Sequence, residues 1–314
     1  MEELPKYSFV LPAYNEASNI APMTERLISV GEKMDGPFEI IWVNDGSTDG
    51  ADAAIDAAAD AYPPVRALHF SRNFGHMAAL CAGLEAARAT HAVIMLDADG
   101  QHPPELIPEM VRHWRDGADI VQTIRIESGA LGSGKRLTSR WFYKVFNALA
   151  DTDIPEGAAD FRLLDREVVD ALNNLPERVR FMRGLVQWVG FKQAQLPYAQ
   201  EDRLSGETKY DLWRMMAFAL SGITSFSVRP LRLAFVLTLL VVALVAVYSM
   251  YVLAAIVTGK YLAPGWTSTM FIILILGAAQ LLVIGIASEY LARMYVEQKQ
   301  RPIYLVRKRN NARE

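Results

Sequence analysis

Two stretches near the C-terminal end of this chain carry no charge at all. Residues 233–259 contain no Asp, Glu, Lys or Arg, and neither do residues 261–288. A helix rises 1.5 Å per residue, so each run reaches about 40 Å, longer than the roughly 30 Å hydrocarbon core of a bilayer. Buried helices of soluble proteins rarely run so far without a charge. Only Lys260 and the Ala263-Pro264-Gly265-Trp266 turn separate the runs, too little chain to fold alone, so the pair is expected as a transmembrane hairpin. Arg229, Arg232 and Arg293 flank its outer ends, and Lys299, Arg301, Arg307, Lys308 and Arg309 follow. By the positive-inside rule both termini are expected on the cytoplasmic side. Residues 209–227 place Trp213, Met216, Phe218 and Phe226 among polar residues, which suits an interfacial segment. Met1 to Tyr7 is polar and leads into a strand, so no signal peptide is expected.

The first two hundred residues read differently. Short β-rich runs at 7–12, 39–44, 65–70, 92–96 and 119–123 alternate with helical stretches at 17–34, 50–61 and 77–89. That order predicts an α/β fold with right-handed crossovers and a mostly parallel sheet flanked by helices. In such sheets ligands bind beyond the carboxyl ends of the strands. The net charge of −3 argues against a nucleic-acid binder working by bulk electrostatics. One cysteine, Cys81, excludes an internal disulfide and a cysteine metal cluster. It reads as a small buried hydrophobe on a helix.

Each strand end carries a motif. The first reads Leu11-Pro12-Ala13-Tyr14-Asn15-Glu16, and the second Asn44-Asp45-Gly46-Ser47-Thr48-Asp49. Ser47, Thr48 and Asp49 suit a turn and a helix cap. Asp45 ends an apolar strand where a ligand would sit and is expected to contact a nucleoside. The fourth strand ends in Asp97-Ala98-Asp99-Gly100-Gln101. On an extended chain the side chains of Asp97, Asp99 and Gln101 share one side. Two carboxylates and an amide oxygen form a hard-oxygen set suited to Mg²⁺ or Mn²⁺, whose natural partner is a diphosphate. His69, His91 and His113 lack ligand spacing, His76 lies in a motif loop, and His102 adjoins the acidic motif. None of the five is expected to be catalytic.

Together with SRNFGHMAAL (71–80), DADGQHPPE (97–105), ADFRLLDR (159–166), RFMRGLVQWVGF (180–191), GETKY (206–210) and EYLARMYVEQKQRPIY (289–304), these motifs run along nearly the whole chain. The chain thereby resembles the family 2 glycosyltransferases of GT-A fold. More narrowly it is similar to the polyprenyl-phosphate glycosyltransferases, relatives of dolichol-phosphate mannose synthase and bacterial undecaprenyl-phosphate glucosyltransferases. Asn44 stands where many relatives have Asp, and Gly100 and His102 where bulkier or acidic residues are common. The resemblance implies that Pro12, Tyr14, Glu16, Asp45 and Asp97 line the nucleotide pocket. Asp99 and Gln101 would be metal ligands, with Asp97 assisting. Arg125, Lys135, Ser139 and Arg203 would face the donor and acceptor phosphates, with Lys209 beside them. Asp160 matches a position often proposed as a catalytic base.

The implied reaction is inverting transfer of one sugar, with UDP-glucose the expected donor, to undecaprenyl phosphate at the cytoplasmic face of the bacterial inner membrane. The expected catalytic residues are Asp99, Asp160 and Arg203. A phosphate monoester has its second pKa at about 6, so the acceptor is largely a dianion at neutral pH. It is already a nucleophile, and cations should matter more than a base. Asp160 would then orient a sugar hydroxyl or Arg162. Arg136 and Arg140 also suit a solvated or lipid-facing helix face.

The expected layout is a catalytic domain at 1–208, an interfacial segment at 209–230, two transmembrane helices within 231–292 (near 233–259 and 267–289) and a basic tail at 293–314. The family's habit implies a homo-oligomer, a tetramer. Three alternatives stay open: the same chemistry with GDP-mannose, UDP-galactose, UDP-N-acetylglucosamine or an aminoarabinose nucleotide; a processive polysaccharide synthase; and a non-catalytic nucleotide-sensing membrane anchor. Residues 200–204 echo the QxxRW motif of processive enzymes but lack its Trp.

Overall fold

The computed structural model describes residues 3–126, 155, 157–199, 224, 227–258 and 265–310. Lys135, Ser139, Arg203 and Lys209, expected at the phosphates, lie outside these residues, as does nearly all of the expected interfacial segment.

The chain opens with β1 (Tyr7–Ala13), α1 (Ala17–Gly31), β2 (Phe38–Asn44), α2 (Ala51–Ala61), β3 (Val65–Phe70), α3 (His76–Ala86) and β4 (Ala92–Met95). Then come α4 (Ile107–Arg115), β5 (Ile120–Ile126), β6 (Ala158–Asp165), α5 (Arg166–Asn173), α6 (Met182–Trp188) and β7 (Gln193–Ala199). Two long helices, α7 (Arg229–Val257) and α8 (Trp266–Gln298), precede β8 (Val306–Asn310). Among the described residues the strands form one eight-stranded sheet, ordered β7-β5-β6-β4-β1-β2-β3-β8.

The alternating signals of the first hundred residues become a parallel β3-β2-β1-β4 core. The central strands are buried throughout because helices cover both faces. Ile20, Met23 and Leu27 of α1, Ile55 of α2 and Met110 of α4 pack on one face. Leu80 and Leu84 of α3, Val168 of α5 and Leu185 of α6 pack on the other. Helix α1 stops three residues before the expected end, and a turn follows it.

Strand β6 runs antiparallel to both β4 and β5. Its beginning therefore lies beside the end of β4, and Met95 is opposite Arg162. This reversal brings residues more than sixty positions apart to one sheet edge.

Helices α7 and α8 lie side by side, and both are long and apolar enough to cross a membrane. Almost none of their apolar surface is covered: Leu240, Leu244, Met250, Leu274 and Leu281 are all more than half exposed. In water such a surface would be costly, and hydrocarbon removes that cost. Part of the segment expected as a tail instead belongs to folded elements. Residues 293–298 complete α8, and residues 306–310 pair antiparallel with β3 as β8. Between them the Tyr304 ring stacks on Phe70 with centroids 4.9 Å apart, and its hydroxyl bonds Glu85. The Glu297 carboxylate accepts backbone N–H groups from Arg178 and Val179 at 2.9–3.0 Å. The hairpin is thus fastened to the eight-stranded sheet at its far end. At its near end the Tyr290 hydroxyl donates to the Ser227 carbonyl at 2.6 Å.

Candidate active site

The first two strand-end motifs hold each other. Asn15 takes a left-handed backbone (φ 57°) and donates its N–H to Ser47 Oγ at 3.0 Å, while its side chain accepts the Thr48 N–H at 2.9 Å. Asp49 accepts from Ala17 and Ala51 at the starts of α1 and α2. The side chains of the second motif are therefore occupied with turns and helix starts. Asn44 is spoken for as well. Its amide approaches His69 Nδ1 at 3.2 Å, its carbonyl accepts the Ser47 N–H, and His69 Nε2 lies 3.0 Å from Asp56. An aspartate here would face His69 Nδ1 with an acceptor, so the amide fits its neighbour.

Asp45 is 2 % exposed, and its two oxygens accept the Phe74 and Gly75 N–H groups at 2.7 and 3.0 Å. Burial pushes its carboxyl up, against the pull of those two N–H groups. The residue expected to touch a nucleoside thus also holds the 71–75 loop over the strand ends. Gly46 makes the loop possible. Its φ is +67°, and a Cβ there would sit 2.3 Å from the Arg72 carbonyl carbon. Pro12 is buried in β1, Glu16 accepts the Asn19 amide at 2.5 Å, and Tyr14 is half exposed beyond the strand.

At the third motif the structure corrects the sequence reading. Strand β4 ends at Met95 and a turn begins at Ala98, so Asp99 stands in that turn and not on extended chain, with Asp97 just before it. Gly100 has φ +79°, a left-handed backbone that favours glycine. The alternation survives in burial: Asp97, Asp99 and Gln101 are partly exposed, while Ala98, Gly100 and His102 are buried. His102 Nδ1 accepts the Asp97 N–H at 3.0 Å, and its ring stacks on Phe161. His102 is thereby a prop for the turn. The Asp99 carboxylate accepts the Gln101 N–H at 3.1 Å.

Asp97 Oδ1 is buried without a hydrogen-bond partner among the described residues. A carboxylate oxygen left so is costly unless a cation completes it. The donor chemistry of Asp97, Asp99 and Gln101 fits a hard divalent ion. Among the described residues no three His, Cys, Asp or Glu side chains could hold a metal by themselves. Such an ion would draw the rest of its shell from water and ligand phosphate, as Mg²⁺ commonly does.

The β4–β6 reversal delivers the rest of the site. Asp160, at the start of β6, is 5 % exposed. It binds Arg162 Nη2 at 2.8 Å and is gripped by Arg183 through Nε at 3.1 and 3.2 Å and Nη2 at 2.8 Å. His76 Nε2 stands 3.8 Å from Asp160 Oδ2 and 3.6 Å from Asp97 Oδ1. Burial alone would raise the Asp160 carboxyl, but Arg183 and Arg162 outweigh it and hold it well below the usual carboxylate range. Burial lowers the Arg162 guanidinium, with Asp160 opposing. Tyr198 of β7 packs edge-on to Phe161, and burial, reinforced by Asp97 and Asp99, pushes its phenol up to about 12. Arg125 is exposed at the end of β5.

Sequence reasoning overlooked Arg183 and Tyr198. Arg183 lies inside the RFMRGLVQWVGF motif, and its only local signal is a charge in the otherwise uncharged helix MRGLVQW.

The described site thus presents carboxylates at a strand-end turn, a cradle of motif loops from β1, β2 and β3, and a buried Asp–Arg cluster. The sequence model of glycosyl transferase family 2 matches residues 8–172, which span these loops and Asp160. The chain belongs to glycosyl transferase family 2. Its sheet with helices on both faces is the GT-A fold.

Relatives in this family match along the hairpin as well. The uncharacterized glycosyltransferase YkcC of Bacillus subtilis is 39 % identical over 303 residues, covering 96 % of this chain and 94 % of its own. The SfII prophage-derived bactoprenol glucosyl transferase of Shigella flexneri is 38 % identical, covering 96 % and 98 %. The prophage bactoprenol glucosyl transferase homolog of Escherichia coli is 37 % identical, covering 96 % and 99 %. Among solved structures, the glucosyl-3-phosphoglycerate synthase of Mycobacterium tuberculosis, in complex with Mn²⁺, UDP and glucosyl-3-phosphoglycerate, gives a TM-score of 0.48 at 19 % identity, covering 70 % and 78 %. The mannosyltransferase PcManGT of Pyrobaculum calidifontis, bound to GDP-mannose and Mn²⁺, gives 0.47 at 18 %, covering 92 % and 88 %.

Proposed function

We propose that this glycosyltransferase moves a single glucose from UDP-glucose to undecaprenyl phosphate, with inversion, at the cytoplasmic face of a bacterial inner membrane. The observation that carries the reading is the near-full-length similarity to bactoprenol glucosyl transferases, hairpin included. The architecture supports it. An acceptor whose tail stays in the bilayer requires a site fastened beside that bilayer, and α7, α8 and β8 provide the fastening. Because β8 pairs with β3, the end of the hairpin lies on the same side as the catalytic sheet. That agrees with two spans and both termini cytoplasmic. The oligomer, a tetramer, is taken from the resemblance alone.

An acceptor phosphate oxygen attacks the anomeric carbon as the bond from that carbon to the nucleoside diphosphate breaks. The bonding pair leaves with the diphosphate, and no proton need move. Asp97, Asp99 and Gln101 would hold a divalent ion, which when bound supplies positive charge for the departing diphosphate. The 71–75 loop held by Asp45, with Pro12, Tyr14 and Glu16, would cradle the nucleotide. Arg125, with Lys135, Ser139, Arg203 and Lys209, would screen the charges of donor and acceptor.

The test is incubation of purified protein and undecaprenyl phosphate with a panel of nucleotide sugars, the lipid product being weighed by mass spectrometry. A hexose adduct formed from UDP-glucose alone is expected. A preferred GDP-mannose or UDP-N-acetylglucosamine would replace the donor. Long polymer would make the enzyme processive, and nucleotide binding without turnover would sink the reading.

A further inference from the structure

We propose that Arg183 receives the acceptor's phosphate and that Asp160 is a positioning residue that holds it there. The proposal rests on the polyprenyl-phosphate reading above and assigns that site a cation. Both Asp160 oxygens already take charge-assisted hydrogen bonds, Oδ1 from Arg162 and Arg183, Oδ2 from Arg183. A base must present a lone pair to its proton donor, and this carboxylate is packed at 5 % exposure between two guanidiniums.

The arrangement does suit an anion. Asp160 orients two guanidiniums, Arg162 and Arg183, at once, and Asp97 adds a second carboxylate within electrostatic reach of Arg162. The Arg162 side chain is 1 % exposed, whereas that of Arg183 is 27 % exposed. Arg183 is therefore the member of the trio that an incoming phosphate can touch. Its place is the right one, because His76 spans from the Asp160 carboxylate to Asp97. A phosphate at Arg183 would lie close to a diphosphate at the Asp97–Asp99 turn. The anchoring is two-point, Nε and Nη2 on one carboxylate, which fixes the guanidinium plane before the ligand arrives. With the acceptor already a dianion, what the reaction lacks is a preset cation, not a proton acceptor.

The same phosphate chemistry occurs in the donor, so the experiment separates the two. Full-length protein in lipid nanodiscs is assayed with undecaprenyl phosphate and the nucleotide sugar that supports turnover. Michaelis constants for both substrates are measured for wild type, Arg183→Gln, Arg183→Lys, Asp160→Asn and the Asp160→Asn/Arg183→Gln double variant. Arg183→Gln is expected to raise the acceptor KM by about tenfold or more and leave the donor KM within about twofold. Arg183→Lys should show a smaller rise, since it keeps the charge but loses the fork. Asp160→Asn should raise the acceptor KM alone, yet add little in the Arg183→Gln background.

An equal rise in donor KM would move Arg183 to the nucleotide sugar. A lost kcat in Asp160→Asn with unchanged acceptor KM, together with loss of the acid limb of the pH–rate profile, would make Asp160 the base. If Arg183→Gln fails to fold, a folded Arg183→Lys with wild-type acceptor KM overturns the inference by itself. Should wild-type protein form no lipid-linked sugar from any donor, the functional reading fails too. Transfer that persists with acceptor KM untouched in the Arg183 variants sinks this inference alone.

Discussion

At the scale of single residues the candidate ligands and the props differ in exposure. Asp99 is partly exposed at the turn, while Asp160 is buried among arginines. Asp99→Ala is expected to cut transfer by about a thousandfold, as losses of charge stabilisation at reacting centres do. Asp160→Asn should retain more activity, and equal loss in steady-state assays would overturn that ranking. Asp160 also bears on stability. Its folded carboxyl titrates below its unfolded value, so its contribution is fully present above about pH 4 and fades as pH falls through the folded pKa. Acid titration of unfolding should therefore show a shallower loss below pH 4 in Asp160→Asn than in wild type. Gly46 is a backbone case. Gly46→Ala forces a Cβ onto the Arg72–Asn73 backbone at a left-handed φ, and chemical denaturation should show a loss of about 2 kcal/mol or more.

At the scale of elements, strand direction decides what meets. Because β6 is antiparallel to β4, Asp160 arrives beside Asp97; a parallel β6 would have carried it to the opposite edge. The C-terminal strap is the second such device. Glu297 caps two backbone N–H groups of the 177–180 turn, Tyr304 stacks on Phe70, and β8 covers the outer edge of β3. An uncovered edge strand invites pairing with other chains. Glu297→Ala is expected to destabilise the catalytic domain by about 1–3 kcal/mol in denaturant titration. Truncation after residue 298 should lower its melting temperature further and promote aggregation.

At the scale of the whole molecule, the exposed apolar shells of α7 and α8 and the charged catalytic sheet demand different solvents. The protein should stay with membranes through an alkaline wash and leave only with detergent. Tags at the two termini should share one side of inverted vesicles, as protease protection would read. Excess chelator should abolish transfer, and Mg²⁺ or Mn²⁺ should restore it. Activity that persists in chelator would remove the ion from the turn.

The sequence alone determined the elements whose signals are local. Charge-free runs, strand–helix alternation and strand-end motifs depend on neighbours in the chain, so the two apolar helices, the parallel core and the acidic motif were legible there, though not the turn that carries Asp99. Asn44 looked like a departure until His69 stood beside it, and Arg183 was one charge on a short helix until Asp160 reached it. The strand direction of β6 and the return of residues 306–310 to β3 leave no periodicity to read. Those pairings depend on which surfaces remain open once the core has formed. Only the tertiary structure decided them, because burying Asp160 requires cations that lie beyond its own strand as well as on it.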